Sequence, residues 1–336
     1  MSLGSNRSRM IIGCLIGLGF LYLAGRKVDF SLMWEAFTKV NYWFVLLAVP
    51  VIFFSHFLRA LRWRYLMDPI KRVDVASLFS ALLIGYMANI LMPAHLGEFL
   101  RAYVLGKKRG VSASSTFATI VVERVIDVFA LLLLMVFAIL LYPFPDWINT
   151  AGHAMLVGTA GLFVFLILLK KYFAFFQRFL NFLFKPLPKG LQEKLDRGVR
   201  SFVIGIVPLR SAWDYPVVAV LSVVIWACYG FIIHLVLYAF DFVSVYHLPW
   251  STSLIVLVVT TIGVVVPSSP GYVGTYHWLC QVSLAMFGVP ADPALSFAIL
   301  THGVNFLPVL IVGLILAYYE GVEIFRAQDK ADTSGN

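Results

Sequence analysis

Long apolar runs separated by short clusters of charged residues dominate the pattern of this chain. Eight runs can be traced, at about residues 10–25, 42–58, 75–106, 113–141, 153–169, 213–240, 251–289 and 293–318. A helix needs about 20 apolar residues to cross the hydrocarbon core of a bilayer, and several runs approach or exceed that length. The pattern predicts an all-α polytopic membrane protein in which residues 1–336 form a single membrane domain.

Two of the runs are interrupted by proline and glycine. The run 75–106 breaks between Pro93 and Gly97, and the run 251–289 breaks between Pro267 and Gly274. Proline removes a helical hydrogen bond and glycine permits a tight turn, so each run is predicted to be a helical hairpin. Arms of about 16 residues are about 24 Å long, shorter than a hydrocarbon core of about 30 Å. Re-entrant hairpins are therefore favoured, with full-length hairpins left open, and the other six runs are predicted to be full spans.

Lysine and arginine predict how the runs are threaded, because cytoplasmic loops carry an excess of both. If each hairpin returns to its starting side, the clusters at 59–72 and 101–109, the segment 170–212 and both termini lie in the cytoplasm. We read the segment 170–212 as a basic amphipathic loop on the membrane surface. We read Arg59 to Arg64 as a snorkelling span end, and residues 327–336 as a flexible tail. These patterns predict a multi-pass protein of a cytoplasmic (inner) membrane.

The order of spans and hairpins repeats. Span, hairpin and span over residues 42–141 are matched by the same series over 213–318, and both bends contain the spacing P-x-x-x-G, at Pro93 and at Pro267. The first hairpin is predicted to start inside the cell and the second outside. Broken segments at equivalent places in two inverted halves are typical of transporters, with the binding site where the breaks meet.

Composition narrows the function classes. Hydrophobic residues make up 61% of the chain and charged residues 13%, against about 25% in soluble domains. The formal net charge of +9 is explained by basic residues in the loops that are predicted to be cytoplasmic. Nucleic-acid binding is not needed to explain it. The three cysteines show no disulfide or zinc spacing. No H-E-x-x-H, G-x-S-x-G, Walker or C-x-x-C motif occurs, so no catalytic residue, metal or cofactor is assigned, although a membrane enzyme is left open.

Charged residues inside the fourth run and the first hairpin are the strongest candidates for a site. Placing a charge at the membrane centre costs about 2.5–3.5 kcal/mol or more, so such residues should have a partner or a purpose. Arg124 is predicted to pair with Asp127, three residues on, or with Glu98 of the hairpin. The charges either lock the hairpin to the span or also line a polar cavity for a headgroup or an ion. The candidates are Glu98, Arg101, Glu123, Arg124 and Asp127.

The two bends complete the predicted substrate site. Backbone N–H groups at the helix start after the second bend could hold an anion such as phosphate. His277 is read either as a buried neutral histidine with one hydrogen bond or as a ligand. The first bend contributes Asn89, Pro93 and Gly97, and the second contributes Ser268, Ser269, Pro270, Gly271, Gly274, Thr275 and His277.

Three motifs in this order resemble the lysylphosphatidylglycerol synthase transmembrane-region family. They are Asn89-Ile-Leu-Met-Pro93-Ala-His-Leu-Gly97-Glu98-Phe-Leu-Arg101, Val122-Glu123-Arg124-Val-Ile-Asp127 and Pro267-Ser-Ser-Pro270-Gly271-Tyr-Val-Gly274-Thr275. This family is the flippase-like domain of the multiple peptide resistance factor, found also as a stand-alone protein. The resemblance implies a bacterial or archaeal membrane and lipid translocation. His277 stands where the family often carries glutamate. The substrate is therefore open to lipids with headgroups other than that of lysylphosphatidylglycerol.

The sequence therefore predicts a flippase that moves a phospholipid or an isoprenoid-linked glycolipid between leaflets. The alternatives are a membrane-embedded lipid-modifying transferase and an accessory subunit of a lipid or glycolipid synthesis pathway. Inverted halves favour transport, since an enzyme does not need them. Membrane lipids are the expected partners and a homo-oligomer is compatible with the pattern. The lipid, the direction of transport and any coupling ion are left open.

Overall fold

The computed structural model describes residues 15, 17–26, 28–92, 96–142, 146–185, 188–205, 209–265 and 269–322, and these ranges contain helices and no β-strand. In chain order the helices are α1 (residues 17–25), α2 (Phe30–Thr38), α3 (Tyr42–Met67), α4 (Val75–Leu91), α5 (Leu96–Arg109), α6 (Ala113–Leu141), α7 (Asp146–Lys171), α8 (Phe173–Phe184), α9 (Lys189–Gly205), α10 (Asp214–Ala239), α11 (Phe242–Val245), α12 (Ser251–Val265), α13 (Thr275–Ala285) and α14 (Ala291–Tyr319).

Five of the described helices, α3, α6, α7, α10 and α14, are long and apolar enough to cross a membrane. The helices α4 and α12 are apolar but shorter. These elements confirm the predicted all-α polytopic membrane fold. The remaining predicted span, residues 10–25, is described at residue 15 and at residues 17–25, and the latter form α1.

Local sequence signals set where the helices begin and how they meet the bilayer. The side chains of Asn41, Asp74 and Ser112 accept backbone hydrogen bonds from the first turns of α3, α4 and α6. Such N-caps are each worth about 0.5–2 kcal/mol. Exposed aromatic residues stand at span ends, such as Trp43 at the start of α3 and Tyr319 at the end of α14. Tryptophan and tyrosine favour the membrane–water interface, so these positions mark the ends of the apolar layer.

The first interrupted run forms an antiparallel hairpin of α4 and α5. Arg109 donates from Nε to Ser77 Oγ (2.9 Å) at the open end, and Gly97 N donates to Asn89 Oδ1 (2.7 Å) near the bend. A β-carbon at Gly97 would overlap the carbonyl oxygen of Gly85, so glycine permits the close approach of the arms. Arms of 17 and 14 residues are about 25 and 21 Å long, shorter than a hydrocarbon core of about 30 Å.

The second interrupted run places α12 against α13, with a 3₁₀ turn at Pro270–Tyr272 between them. Gly271 has φ +59° and lies against the backbone of Ile90, at the end of α4. Gly274 has φ +91° and packs against the backbone of Gly17 in α1. The second bend therefore lies against the end of α4, next to the first interruption in the chain, and α1 covers the other side of the second bend.

Helix packing in the two halves corresponds element by element. The contacts of α3 with α4, α4 with α5 and α5 with α6 have counterparts in α10 with α12, α12 with α13 and α13 with α14. Across the halves, α3 packs on α10, and α4 packs on α14 as α12 packs on α6. This correspondence supports two related halves, and their inverted orientation in the membrane stays a prediction.

The segment 170–212, which we expected to be an amphipathic loop, contains the helices α8 and α9. Helix α9 packs against α6, where Ser115 Oγ donates to the carbonyl oxygen of Ser201 (2.7 Å). Helix α8 exposes Phe175, Phe179 and Leu183, one turn apart. An exposed apolar stripe on a helix with an arginine and flanking lysines is typical of membrane-surface helices. The predicted tail 327–336 lies outside the described residues.

Candidate functional site

A network of charged side chains lies where α3, α5 and α6 meet. It contains four arginines and three carboxylates, namely Arg59, Arg62, Arg101, Arg124, Glu98, Glu123 and Asp127. With every group ionised, four positive and three negative charges leave a net charge of +1. An isolated charge in an apolar interior is very unfavourable, which is why these groups occur together.

Glu123 is the centre of the network. Its side chain is 0% exposed. Its carboxylate oxygens lie 3.1 Å from Arg59 Nη1, 3.7 Å from Arg62 Nη2, 2.8 Å from Arg101 Nη2 and 2.8 Å from Arg124 Nη2. One carboxylate thus holds together guanidinium groups from three helices.

Asp127 lies one turn after Glu123 on the same face of α6 and extends the network. Its carboxylate oxygens are 2.6 Å from Arg62 Nη2, 3.0 Å from Arg59 Nη2 and 3.4 Å from Arg124 Nη2. Arg124 Nη1 also lies 3.9 Å from Glu98 Oε1. The predicted pairing of Arg124 with Asp127 is confirmed, and the approach to Glu98 links α6 to the hairpin.

Arg59 and Arg62 contradict our interpretation of residues 59–64 as a snorkelling span end, which is wrong for these two side chains. They are 5% and 0% exposed. Spaced three residues apart on α3, they point at the two carboxylates of α6. Arg64, on another face of α3, is exposed. The signal that could have found them is the charge balance of the five intramembrane candidates, which comprise three acids and two arginines, so at least one acid lacks an arginine partner among them.

Arg101 has a packing role as well as an ionic one. Its guanidinium lies 3.6 Å from the centre of the Trp63 ring, which is a cation–π contact. Trp63 is itself held by a hydrogen bond from Nε1 to Thr119 Oγ1 (2.9 Å). Arg101 therefore ties the hairpin to α3 and α6, which agrees with the predicted locking of hairpin to span.

A cavity of about 590 Å³ lies beside the network, between the bends of the two hairpins. Its polar wall combines charged groups with hydroxyl and amide groups: Arg59, Glu98, Arg124, Asp127, His56, Tyr86, Asn89, Tyr229, Thr260, Thr261, Tyr272, Tyr276 and Asn305. Arg59 donates from Nε to Tyr229 Oη (2.6 Å) and from Nη1 to Tyr86 Oη (2.8 Å). The cavity, which we call the headgroup cavity, is therefore lined by both halves of the chain.

The predicted residues of the first half divide between the cavity wall and its support. Asn89, Glu98, Arg124 and Asp127 line the headgroup cavity. Glu123 and Arg101 are buried and absent from the cavity lining, and Glu123 holds Arg59 and Arg124 of the wall in place. The role of Gly97 is the close approach of the hairpin arms, while Pro93 lies outside the described residues.

The described residues of the second bend are engaged in local structure. Ser269 Oγ donates to the carbonyl oxygen of Val273 (2.6 Å), and the Gly274 N–H donates to His277 Nδ1 (3.2 Å). His277 is buried, with this one hydrogen bond, as in the first of our two readings. Thr275 is also buried.

The segment reaches the headgroup cavity through side chains that sequence reasoning missed. These are Tyr272 and Tyr276, both in the cavity wall. Pro270 begins the 3₁₀ turn, and Ser268 lies outside the described residues. Among the described residues, no group of three or more histidine, cysteine, aspartate or glutamate side chains could hold a metal ion.

Comparison with known proteins gives one family and several archaeal relatives. The family model described as lysylphosphatidylglycerol synthase TM region matches residues 10–313. A UPF0104 membrane protein of Methanothermobacter thermautotrophicus is 35% identical over 131 residues, which are 37% of this chain and 38% of that protein. UPF0104 membrane protein MJ1595 of Methanocaldococcus jannaschii is 23% identical over 315 residues, which cover 85% and 88% of the two chains.

A third relative has a name that states an activity. Glycosyltransferase AglD of Haloferax volcanii is 28% identical over 124 residues, which are 37% of this chain and 20% of that protein. The matches to this relative and to the Methanothermobacter protein thus span less than two-fifths of the relatives' lengths. The similarities agree with a function connected with membrane lipids.

Proposed function

We propose that this chain, which belongs to the lysylphosphatidylglycerol synthase transmembrane-region family, moves a lipid with a phosphate-bearing headgroup between the two leaflets of its membrane. Phospholipids and isoprenoid-linked glycolipids share that headgroup chemistry. The observation that carries the proposal is the net charge of +1 in the network beside the headgroup cavity.

A headgroup must exchange its water for protein groups to cross a bilayer. Burying a polar group without a substitute hydrogen bond costs several kcal/mol. The headgroup cavity offers arginine, hydroxyl and amide groups between the hairpin bends. One negative charge, as on a phosphodiester, would bring the network to neutrality. Arginine suits this role because its planar donors match phosphate geometry.

Arg124 is the arginine best placed to meet the ligand. Its side chain is 37% exposed, the most of the four arginines in the network. Its Nε has no hydrogen-bond partner among the described residues. Glu98 Oε2 also lacks a partner there, so it can accept a hydrogen bond from a sugar hydroxyl or an amine. We therefore assign Arg124 to binding the phosphate, and Glu98 to binding the distal part of the headgroup.

The arrangement of the two halves supports transport over binding alone. The headgroup cavity is lined by both hairpins and by the spans α3, α6, α10 and α14. Inverted-repeat transporters place their substrate where broken segments of two halves meet, and they open alternately by moving one half against the other. The corresponding helix contacts in the two halves provide such related units.

A lipid-modifying enzyme is the second candidate. The observation in its favour is Glu98, a carboxylate in the cavity wall with one oxygen unpartnered among the described residues. Such a group could act as a general base on a lipid hydroxyl. The matched part of the glycosyltransferase relative covers 20% of that protein, so its activity is a property of the whole relative.

Reconstitution in liposomes tests the proposal. A panel of fluorescent lipids would compare phosphate-bearing headgroups with neutral ones, and we expect protein-dependent transfer of at least one phosphate-bearing lipid. Arg124→Gln should slow that transfer about tenfold to a hundredfold, because hydrogen bonds to charged groups contribute about 1.5–3 kcal/mol. The matched control is Arg64→Gln, which removes an exposed arginine of α3 and should leave the rate unchanged.

Two results would overturn the proposal. One is the absence of protein-dependent transfer across the whole panel. The other is equal slowing by Arg124→Gln and Arg64→Gln, which would place the effect on overall charge and not on the cavity. Chemical conversion of a lipid by the purified protein, without transfer, would favour the enzyme.

A further inference from the structure

A second, apolar cavity lies against the first. This groove of about 670 Å³ is formed by α6, α10 and α12, and its wall includes Phe129, Leu133, Val223, Phe231 and Leu254. Leu133 and Val223 are 72% and 69% exposed, so the groove opens on the outer surface of the bundle. It follows α10 from Ala219 to His234, a distance of about 22 Å at 1.5 Å per residue. We call it the tail groove.

The tail groove and the headgroup cavity share a wall. Trp226 and Leu257 line both spaces. Ser222 also lies in the groove wall, and its hydroxyl accepts a hydrogen bond from Arg62 Nη1 (2.9 Å). The apolar groove is therefore adjacent to the headgroup cavity and to the charge network, separated from them by one tryptophan, one leucine and one serine.

Trp226 is the main partition between the two spaces. Its side chain is 6% exposed and packs edge-on against Tyr229, with ring centres 5.9 Å apart. Its indole N–H is buried and has no hydrogen-bond partner among the described residues. A buried donor without a partner is unfavourable. Movement of the ring would open the partition and let the N–H reach an acceptor, such as the ester, ether or phosphate oxygen of a lipid.

We infer that the tail groove holds a hydrocarbon chain of the lipid whose headgroup occupies the headgroup cavity, and that the lipid enters sideways from the bilayer past Trp226. The inference rests on the proposed function. A lipid has a charged end, a polar linkage and an apolar chain in that order. The same order is found along the headgroup cavity beside the network of net charge +1, the tryptophan N–H and the apolar groove.

Photo-crosslinking tests the inference without a transport readout. A phosphate-bearing lipid with a photoactivatable group in its chain would be added to vesicles containing the full chain. Labelled peptides would then be identified by mass spectrometry. We expect labelling of the groove segments of α6, α10 and α12 that is lost with an excess of the same unlabelled lipid. The inference would be overturned if labelling were spread over the outer face of α7 and were not reduced by an excess of unlabelled lipid.

Filling the groove supplies a second test. A β-carbon at Gly230 would meet Leu257 at 3.9 Å, an ordinary contact, so Gly230→Phe projects a ring into the groove without a clash at the β-carbon. The control is Gly161→Phe on α7, where no described atom lies within 4 Å of the added β-carbon. We expect Gly230→Phe to reduce competed labelling and lipid transfer at least tenfold, and Gly161→Phe to change neither. Trp226→Phe keeps a ring and removes the N–H, and should reduce both to a smaller degree.

Failure of this inference and failure of the proposed function give different results. If wild-type protein transfers lipid while Gly230→Phe matches it and groove labelling is not competed, the tail groove is wrong and transport stands. If groove labelling is competed but no lipid is transferred, the groove binds lipid and the transport proposal is wrong.

Discussion

Replacing Glu123 by glutamine removes the carboxylate on which four arginines converge. The side chain keeps its size, so the change isolates the charge. The network then carries four guanidinium groups and two carboxylates, and its net charge rises from +1 to +2. Breaking a buried ion pair by removing one partner costs about 3–5 kcal/mol. With an unfolding entropy of about 2.1 cal/mol/K per residue, a chain of 336 residues shifts by about 1.4 °C per kcal/mol, so the apparent melting temperature should fall by about 4–7 °C.

The matched control is Glu98→Gln. Glu98 approaches Arg124 at 3.9 Å, so its loss should cost less than about 1 kcal/mol, as is usual for weak ion pairs. A double variant, Arg62→Met with Glu123→Gln, returns the net charge to +1 and should recover part of the loss. Wild type, Arg62→Met, Glu123→Gln and the double variant together form a cycle that measures the coupling energy between these two positions.

Thermal unfolding of purified protein in one detergent, followed by tryptophan fluorescence, is a suitable assay. The reasoning would be refuted if Glu123→Gln and Glu98→Gln melted at the same temperature. A double variant less stable than Glu123→Gln would also contradict this prediction, because restoring the net charge to +1 would then not stabilise the fold.

Three further predictions concern the first hairpin, the C-terminal end of α14 and the topology. Gly97→Ala places a β-carbon on a carbonyl oxygen of α4, so it should separate the hairpin arms and lower the melting temperature, whereas an alanine at an exposed glycine of α7 should not. Burial opposes ionisation of Glu320, but hydrogen bonds from Lys108 and Ser80 and the Lys108 charge hold the pKa of Glu320 below its ordinary value. The stabilisation is therefore complete at neutral pH and lost as the pH falls through that lowered pKa, and Glu320→Gln should flatten the acid limb of a stability–pH curve. A cysteine introduced at Lys189 should react with an impermeant thiol reagent only after the membrane is opened, and labelling of intact cells would contradict the proposed orientation.

The apolar pattern and its interruptions predicted the main elements because helix length and backbone breaks are local properties. The run 75–106 forms two packed arms, and Gly271 of the second interrupted run lies in a turn against the end of α4. Charged residues deep in an apolar run have to find partners, so the pairing of Arg124 was predictable too.

The remainder of the site depends on which helices become neighbours. Arg59 and Arg62 stand at the end of an apolar run, where snorkelling outward and pairing inward give the same local sequence. The carboxylates of α6 decide between the two, and they lie more than sixty positions away in the chain. Tyr229 is one of five aromatic residues in the long apolar helix α10. Its hydrogen bond from Arg59 distinguishes it as part of the site.

The second bend was the weakest part of the prediction for a similar reason. A glycine-rich turn before a helix offers free N–H groups in principle. Here the Gly274 N–H already donates to His277, one turn into α13. A histidine one turn into a helix can either cap the helix N-terminus or bind a ligand. The residue type does not distinguish these roles, and the hydrogen bond from the Gly274 N–H identifies the capping role here.

The most direct test of the account is the time course of leaflet exchange for a phosphate-bearing lipid in vesicles with and without the wild-type protein, with the mass of the lipid recorded at the end. If the protein is a flippase, the rate of exchange increases with the amount of protein per vesicle and the mass of the lipid stays unchanged. Equal exchange with and without protein for every phosphate-bearing lipid, or a change in lipid mass, would contradict it.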